Sequence, residues 1–132
     1  MNATAAALLV VTGMVAQGAE PQTLTLACQG TVTEKVPEAP PEPISMGIIV
    51  NFTARTVQGI SSGFPVKITG WDDVIVEFWG SEKLSGSLAI TVGTIDRVTG
   101  DVEAKTTLTA DNGKTWGRTI CTLKCSPAQR MF

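Results

Sequence analysis

Three carboxylates lie close together in one segment of the chain: Asp72, Asp73 and Glu77. Two carboxyl groups flanking a scissile bond are the usual equipment of a glycoside hydrolase. However, Asp72 and Asp73 occupy a predicted turn, and a strand over residues 73–79 turns Glu77 outward if its apolar residues, beginning with Val74, point inward. The pattern favours solvated surface charge, which makes a carboxylate-dependent hydrolase the weakest of the candidate functions.

Other routes to catalysis are missing from the sequence. The chain has no histidine and no tyrosine, which excludes His-dependent triads, His-ligated zinc and tyrosine nucleophiles. No phosphate-binding loop, dinucleotide motif or calcium loop is present. We therefore expect no catalytic residue, no metal and no cofactor.

Three side chains are candidates for binding: Arg97, Trp79 and Trp116. A guanidinium at the mouth of a barrel can hold the carboxylate of a small apolar ligand by two parallel hydrogen bonds. Exposed tryptophans stack on sugars or anchor a protein partner. Each residue also has a purely structural interpretation, in which the arginine stem packs on apolar surface and the tryptophans cover the end of a sheet.

The composition describes one folded domain with no basic excess. The chain has 132 residues, of which 43% are hydrophobic and 17% charged, and its formal net charge is −2. A domain of this size and hydrophobicity folds on its own. The net charge gives no basic field to hold nucleic acid or an anionic membrane, so we expect no nucleic-acid partner.

Residues 1–18 have the pattern of a signal peptide, with an apolar run from about Ala5 to Ala16 and small residues before Ala19. The run is too short for a membrane span, which needs ~20 apolar residues. The sequence therefore predicts export, to the periplasm or the medium, of a single β domain at 19–132.

The cysteines Cys28, Cys121 and Cys125 predict one disulfide and one remaining thiol in an oxidising compartment. Cys121 and Cys125 are four residues apart on a predicted strand, which puts their Cα atoms ~13 Å apart, beyond the ~7 Å limit for a bridge. Cys28 is therefore one partner, and either of the other two can be the second.

Short alternating runs broken by Gly, Pro, Asn and Asp fill the rest of the chain, the clearest of them over residues 44–52. They predict an all-β fold of about eight strands, either a small antiparallel up-and-down barrel or a two-sheet β-sandwich. The segment 36–43, VPEAPPEP, is predicted to be a Pro-rich crossover. Closure of the sheet between the first and last strands removes exposed edges and is the favoured arrangement.

Two turns predict the register of the later strands. A type I′ turn at Asn112-Gly113 puts Ala104 opposite Cys121 and Trp116 opposite Thr109. A second turn at Thr99-Gly100 puts Arg97 opposite Val102, with its side chain toward the core. Three apolar residues of the preceding strand then have the wrong parity, which a bulge at Gly93 would correct: Leu88, Ile90 and Val92.

Four strings of the sequence, LTLACQGT, SMGIIVNFTARTVQG, GTIDRVTGDVEA and LKCSPAQRMF, resemble those of small exported proteins predicted in alphaproteobacterial genomes. The resemblance covers most of the chain after residue 18 and implies no catalytic or binding residues. It includes Cys28 and Cys125, and so implies that these two form the disulfide.

Together these features predict an exported, non-enzymatic β-barrel module that binds a small apolar or carbohydrate ligand. The alternative is a structural or interaction protein of the cell envelope, which would use the outer tryptophans and the segment 36–43.

Overall fold

The chain forms a closed β-barrel. A computed structural model describes residues 22–60 and 66–128, and the predicted signal peptide at 1–18 lies outside these ranges. The strands are β1 (Thr23–Val36), β2 (Glu42–Asn51), β3 (Thr56–Gln58), β4 (Val66–Trp71), β5 (Ile75–Leu84), β6 (Ser87–Asp96), β7 (Asp101–Ala110) and β8 (Thr115–Pro127).

Every strand pairs antiparallel with its neighbours in the sequence, and β1 also pairs with β8. The eight-stranded up-and-down barrel is therefore confirmed, and the two-sheet sandwich is wrong. We call the end that holds the start of β1 and the end of β8 the lower end, and the opposite end the upper end.

A disulfide joins the first strand to the last. Cys28 and Cys125 lie directly opposite each other in the β1–β8 pair, with their Cα atoms 4.1 Å apart, and they are 97 residues apart in the sequence. This confirms the pairing that the resemblance implies. Cys121 lies opposite Val32 and keeps a free thiol, which is buried.

Apolar side chains fill the middle of the barrel, where inward-facing positions alternate with exposed ones along each strand. The largest fully buried side chains are Ile48, Val50, Val57, Val66, Val76, Val102 and Thr91. Phe78 of β5 reaches across to Gly93 of β6, its directly opposed partner. A Cβ at Gly93 would lie only 2.4 Å from the Phe78 ring, so the absence of a side chain there makes room for the phenyl group.

Strand β6 is the clearest departure from the sequence analysis. Its register with β5 and β7 runs without interruption from Ser87 to Ile95, so the predicted bulge at Gly93 is wrong. The buried side chains of β6 are Ser87, Ala89, Thr91 and Ile95. The aliphatic residues of opposite parity face outward: Leu88, Ile90 and Val92. Apart from Ile95, the inward-facing residues of β6 are small or polar, and Phe78 supplies bulk from β5 beside Gly93.

The loop predictions were partly right. Residues 37–41 join the adjacent strands β1 and β2, so they form a hairpin connection in place of a crossover. In the 111–114 turn Gly113 alone has positive φ (87°), so the turn is not type I′. A β-bulge then puts Thr115 opposite Thr109, where Trp116 was predicted. Pairs far from the turn are as predicted: Ala104 with Cys121 and Val102 with Leu123.

Candidate functional site

A pocket opens at the lower end of the barrel. Its volume is about 300 Å³, and its walls come from the start of β1, the end of β8 and the β6–β7 turn. The apolar part is formed by inward-facing side chains: Leu24, Leu26, Val50, Val76 and Ile95. The turn residues Asp96–Gly100 form one side of the rim. We call this cavity the end pocket.

The β6–β7 turn is fixed by the Asp96 side chain. Its Oδ1 accepts hydrogen bonds from the amides of Val98 and Thr99, both at 2.9 Å. The amide of Gly100, which has a positive φ of 83°, donates to the carbonyl oxygen of Asp96. The Thr99 and Val98 amides hold the pKa of Asp96 below its ordinary value. These contacts make a defined turn of four residues, 97–100.

Arg97 belongs to this turn and not to a strand. Ile95, not Arg97, lies opposite Val102, so the predicted strand position of Arg97 is wrong. A guanidinium nitrogen of Arg97 donates a hydrogen bond of 2.6 Å to the carbonyl oxygen of Asp72, and its Cζ lies 5.1 Å from the centre of the Phe52 ring. The side chain thus puts a positive charge on the rim of the end pocket.

An aromatic and cationic cluster that no sequence pattern indicated lies beside Arg97. The rings of Phe52 and Trp71 lie 5.6 Å apart at 53°, and the Arg55 guanidinium lies 5.1 Å from the centre of the Trp71 ring. Aromatic pairs of this kind contribute ~0.5–1.5 kcal/mol beyond their buried area. The available signal was Phe52, which continues the alternation of β2. Arg55, in contrast, is the last residue of the turn between β2 and β3 and has a φ of 59°, which no sequence pattern indicated.

The three carboxylates lie on the β4–β5 turn and on the first half of β5. Asp72 Oδ1 accepts hydrogen bonds from the amides of Ile75 (2.9 Å) and Val74 (2.8 Å), which hold its pKa below the ordinary value. Val74 is 53% exposed, so the prediction that it points inward is wrong. Glu77 is exposed on β5, and Asp73 lies in the turn. Within the described ranges, no group of three His, Cys, Asp or Glu side chains could hold a metal ion.

The two candidate tryptophans lie on the outer wall, away from the end pocket. Trp79 is 45% exposed on β5, opposite Lys67 and Val92. Trp116 is 49% exposed on β8, next to the 111–114 turn at the upper end. Neither lines the end pocket, so the structure separates Arg97 from both of them.

The described part of the chain contains no helix long and apolar enough to cross a membrane. The sequence matches no protein-family model, no curated protein and no solved structure at a significant level.

Proposed function

We propose that the protein is an exported, non-enzymatic module that binds a small, largely apolar molecule in the end pocket. The observation that carries this proposal is the combination of aliphatic walls with a guanidinium on the rim. Ligand sites in proteins are concave and mostly apolar, with a few placed polar groups that fix orientation. The volume of about 300 Å³ is at the lower end of the usual range for such sites, so the ligand would be small.

The charge on the rim favours a ligand with a polar or anionic head. Arg97 brings a guanidinium beside the aliphatic wall. A carboxylate that reaches the guanidinium would form a charge-assisted hydrogen bond, which is about twice as strong as a neutral one. The rest of the molecule would contact the side chains of Leu24 and Leu26.

Export is part of the proposal and is supported by the disulfide. Disulfides persist in oxidising compartments and are rare in the cytosol. The Cys28–Cys125 bridge is compatible with such a compartment, and the apolar run at residues 5–16 supplies a signal for reaching it.

The test compares a tryptophan substitution that fills the end pocket with one on the outer face of the same strand. Leu24 is half-buried at the pocket, whereas its neighbour Thr25 is exposed on the outer face. Native mass spectrometry of protein recovered from cells, with a panel of fatty acids, aromatic acids and sugars, measures binding. We expect wild type and Thr25→Trp to carry a ligand and Leu24→Trp to lose it. If the wild-type protein carries no ligand from cells and its mass increases with no member of the panel, the proposal fails.

A further inference from the structure

The outer face of β6 carries a row of aliphatic side chains where a barrel wall facing water is normally polar. Leu88 is 39% exposed, and Ile90 and Val92 are half-buried. Leu88, Ile90 and Val92 together form what we call the β6 ridge. Ala89 and Thr91 alternate with these three residues along β6 and point into the barrel, so the three point outward.

Lysines and a tryptophan flank the ridge on both sides. One row across four strands reads Lys67, Trp79, Val92, Lys105, each residue directly opposite the next. Lys83 lies opposite Leu88 in a parallel row. Directly opposed residues on one face have Cβ atoms ~4.5–5.5 Å apart, so the charges border the apolar surface closely. We call the ridge together with Trp79 and these three lysines the outer patch.

Acidic side chains adjoin the outer patch at its lower edge. No residue directly opposite a member of the ridge is acidic: the partners on β5 and β7 are Lys83, Ser81, Trp79, Thr109, Thr107 and Lys105. Glu77 and Glu103 both lie opposite Thr94, in the next row of the same face, and Glu103 lines a shallow depression together with Val92 and Lys105. In the part of the chain that the structure describes, the one salt bridge joins Lys124 to Asp101 and involves none of the patch lysines. The rows that contain the ridge therefore carry lysines, and the acidic residues begin in the row below them.

We propose that the outer patch docks the barrel on the surface of an anionic lipid bilayer. Tryptophan is enriched at membrane interfaces because its ring is apolar and its N–H is polar. Lysine buries its methylene stem and keeps its ammonium at the headgroups. Polybasic surfaces are attracted to anionic lipid at roughly 1 kcal/mol per lysine, which corresponds to about fivefold in affinity.

Charge complementarity and shape favour lipid over other anionic partners. A nucleic acid would match the three lysines but offers no aliphatic surface to the β6 ridge. The ridge lies on a convex barrel wall, which a soft lipid interface can contact along its length. The proposal specifies what an envelope protein of this kind would contact. The barrel binds lipid through Trp79 and the rest of the outer patch, and not through the end pocket.

Vesicle flotation tests the proposal. The probes are phosphatidylcholine vesicles with and without phosphatidylglycerol, at low and at high salt. We expect wild type to float with the anionic vesicles at low salt, and to be released by high salt or by omission of the anionic lipid. Lys83→Gln and Lys105→Gln should each lower the partition coefficient about fivefold, and Leu88→Ser should lower it as well.

Matched control variants distinguish binding by the outer patch from non-specific binding to vesicles. Ile49 is 38% exposed on the outer face of β2, nearly as much as Leu88, so Ile49→Ser is the control for Leu88→Ser. Lys35→Gln on β1 is the control for the lysine variants. The apolar run at residues 5–16 is common to all variants and contributes equally to each.

Circular dichroism and a count of one free thiol verify that each variant is folded. Three results would overturn the proposal: no flotation of wild type with anionic vesicles, equal losses in Leu88→Ser and Ile49→Ser, or binding that is independent of the anionic lipid. A dimer in solution that Leu88→Ser converts to a monomer would also overturn it, because the patch would then face a second copy of the chain.

Discussion

The hydroxyl oxygens of Thr91 and Thr106 lie 2.8 Å apart inside the barrel, on the facing strands β6 and β7. Thr91 has no exposed surface. A buried hydroxyl without a partner costs ~1–3 kcal/mol, so this contact lets the barrel place a polar pair among the aliphatic residues of its core.

Thr91→Val should therefore lower the free energy of unfolding by ~1 kcal/mol, because it leaves the Thr106 hydroxyl without its partner. The double variant with Thr106→Val should cost less than the sum of the two single changes. Urea unfolding of the four proteins measures the difference. Strict additivity would show that the two hydroxyls do not interact.

Gly93→Ala should destabilise the barrel by ~1–3 kcal/mol or more, the usual cost of overpacking a core. The new methyl group would lie 2.2 Å from the Glu103 carbonyl oxygen and 2.4 Å from the Phe78 ring, and neither can move away freely. Gly47→Ala is the matched control, since the nearest atom to its Cβ is 3.9 Å away. Thermal unfolding of both variants provides the comparison, and equal melting temperatures would contradict the packing of Phe78 on Gly93.

The stability of the barrel should decrease in alkaline solution through Cys121. Burial raises the pKa of the Cys121 thiol, whereas in the unfolded chain the thiol ionises near ~8.5. The folded state then holds a proton that the unfolded state releases, so the stabilisation is complete below that pH and is lost as pH rises toward the folded pKa. Urea unfolding at a series of pH values should give a steeper alkaline decline for wild type than for Cys121→Ala. Parallel profiles would show that the thiol does not contribute.

Asp96 should contribute stability that is lost in acid. The amides of Thr99 and Val98 hold the pKa of Asp96 below the ~3.9 of an unfolded chain. Its contribution is present above that value and is lost as pH falls through the folded pKa. Asp96→Asn keeps an acceptor oxygen for both amides but does not titrate, so its unfolding free energy should fall less steeply in acid. The exposed Asp111→Asn is the control, and a slope for Asp96→Asn equal to that of wild type would contradict the assignment.

The sequence was sufficient to predict the barrel because most strands alternate clearly. In addition, Cys28 on the first strand had to lie near one of the two cysteines on the last strand. The sequence was misleading at β6, where Phe78 of the neighbouring strand fills the space that Gly93 leaves. Three aliphatic side chains of β6 are turned outward as a result: Leu88, Ile90 and Val92. Residue counting also placed Arg97 on a strand, because the hydrogen bonds of Asp96 that lengthen the turn to residues 97–100 are not visible in the pattern of apolar residues.

The end pocket could be predicted only in outline. A charged group at a barrel mouth was expected, and Arg97 is on the rim. The contact between Phe52 and Trp71 could not be predicted, since it depends on the β-bulge that shifts β4 against β5 between Ile68 and Gly70.

The covalent bond between Cys28 and Cys125 has a consequence for proteolysis. Any cut in a connecting loop between these residues, for example within 37–41 or 111–114, separates the chain into two fragments that the bridge still holds together. A nicked molecule would thus migrate as one species until a reductant is added, and its two fragments would remain close enough to reassociate along the cut hairpin.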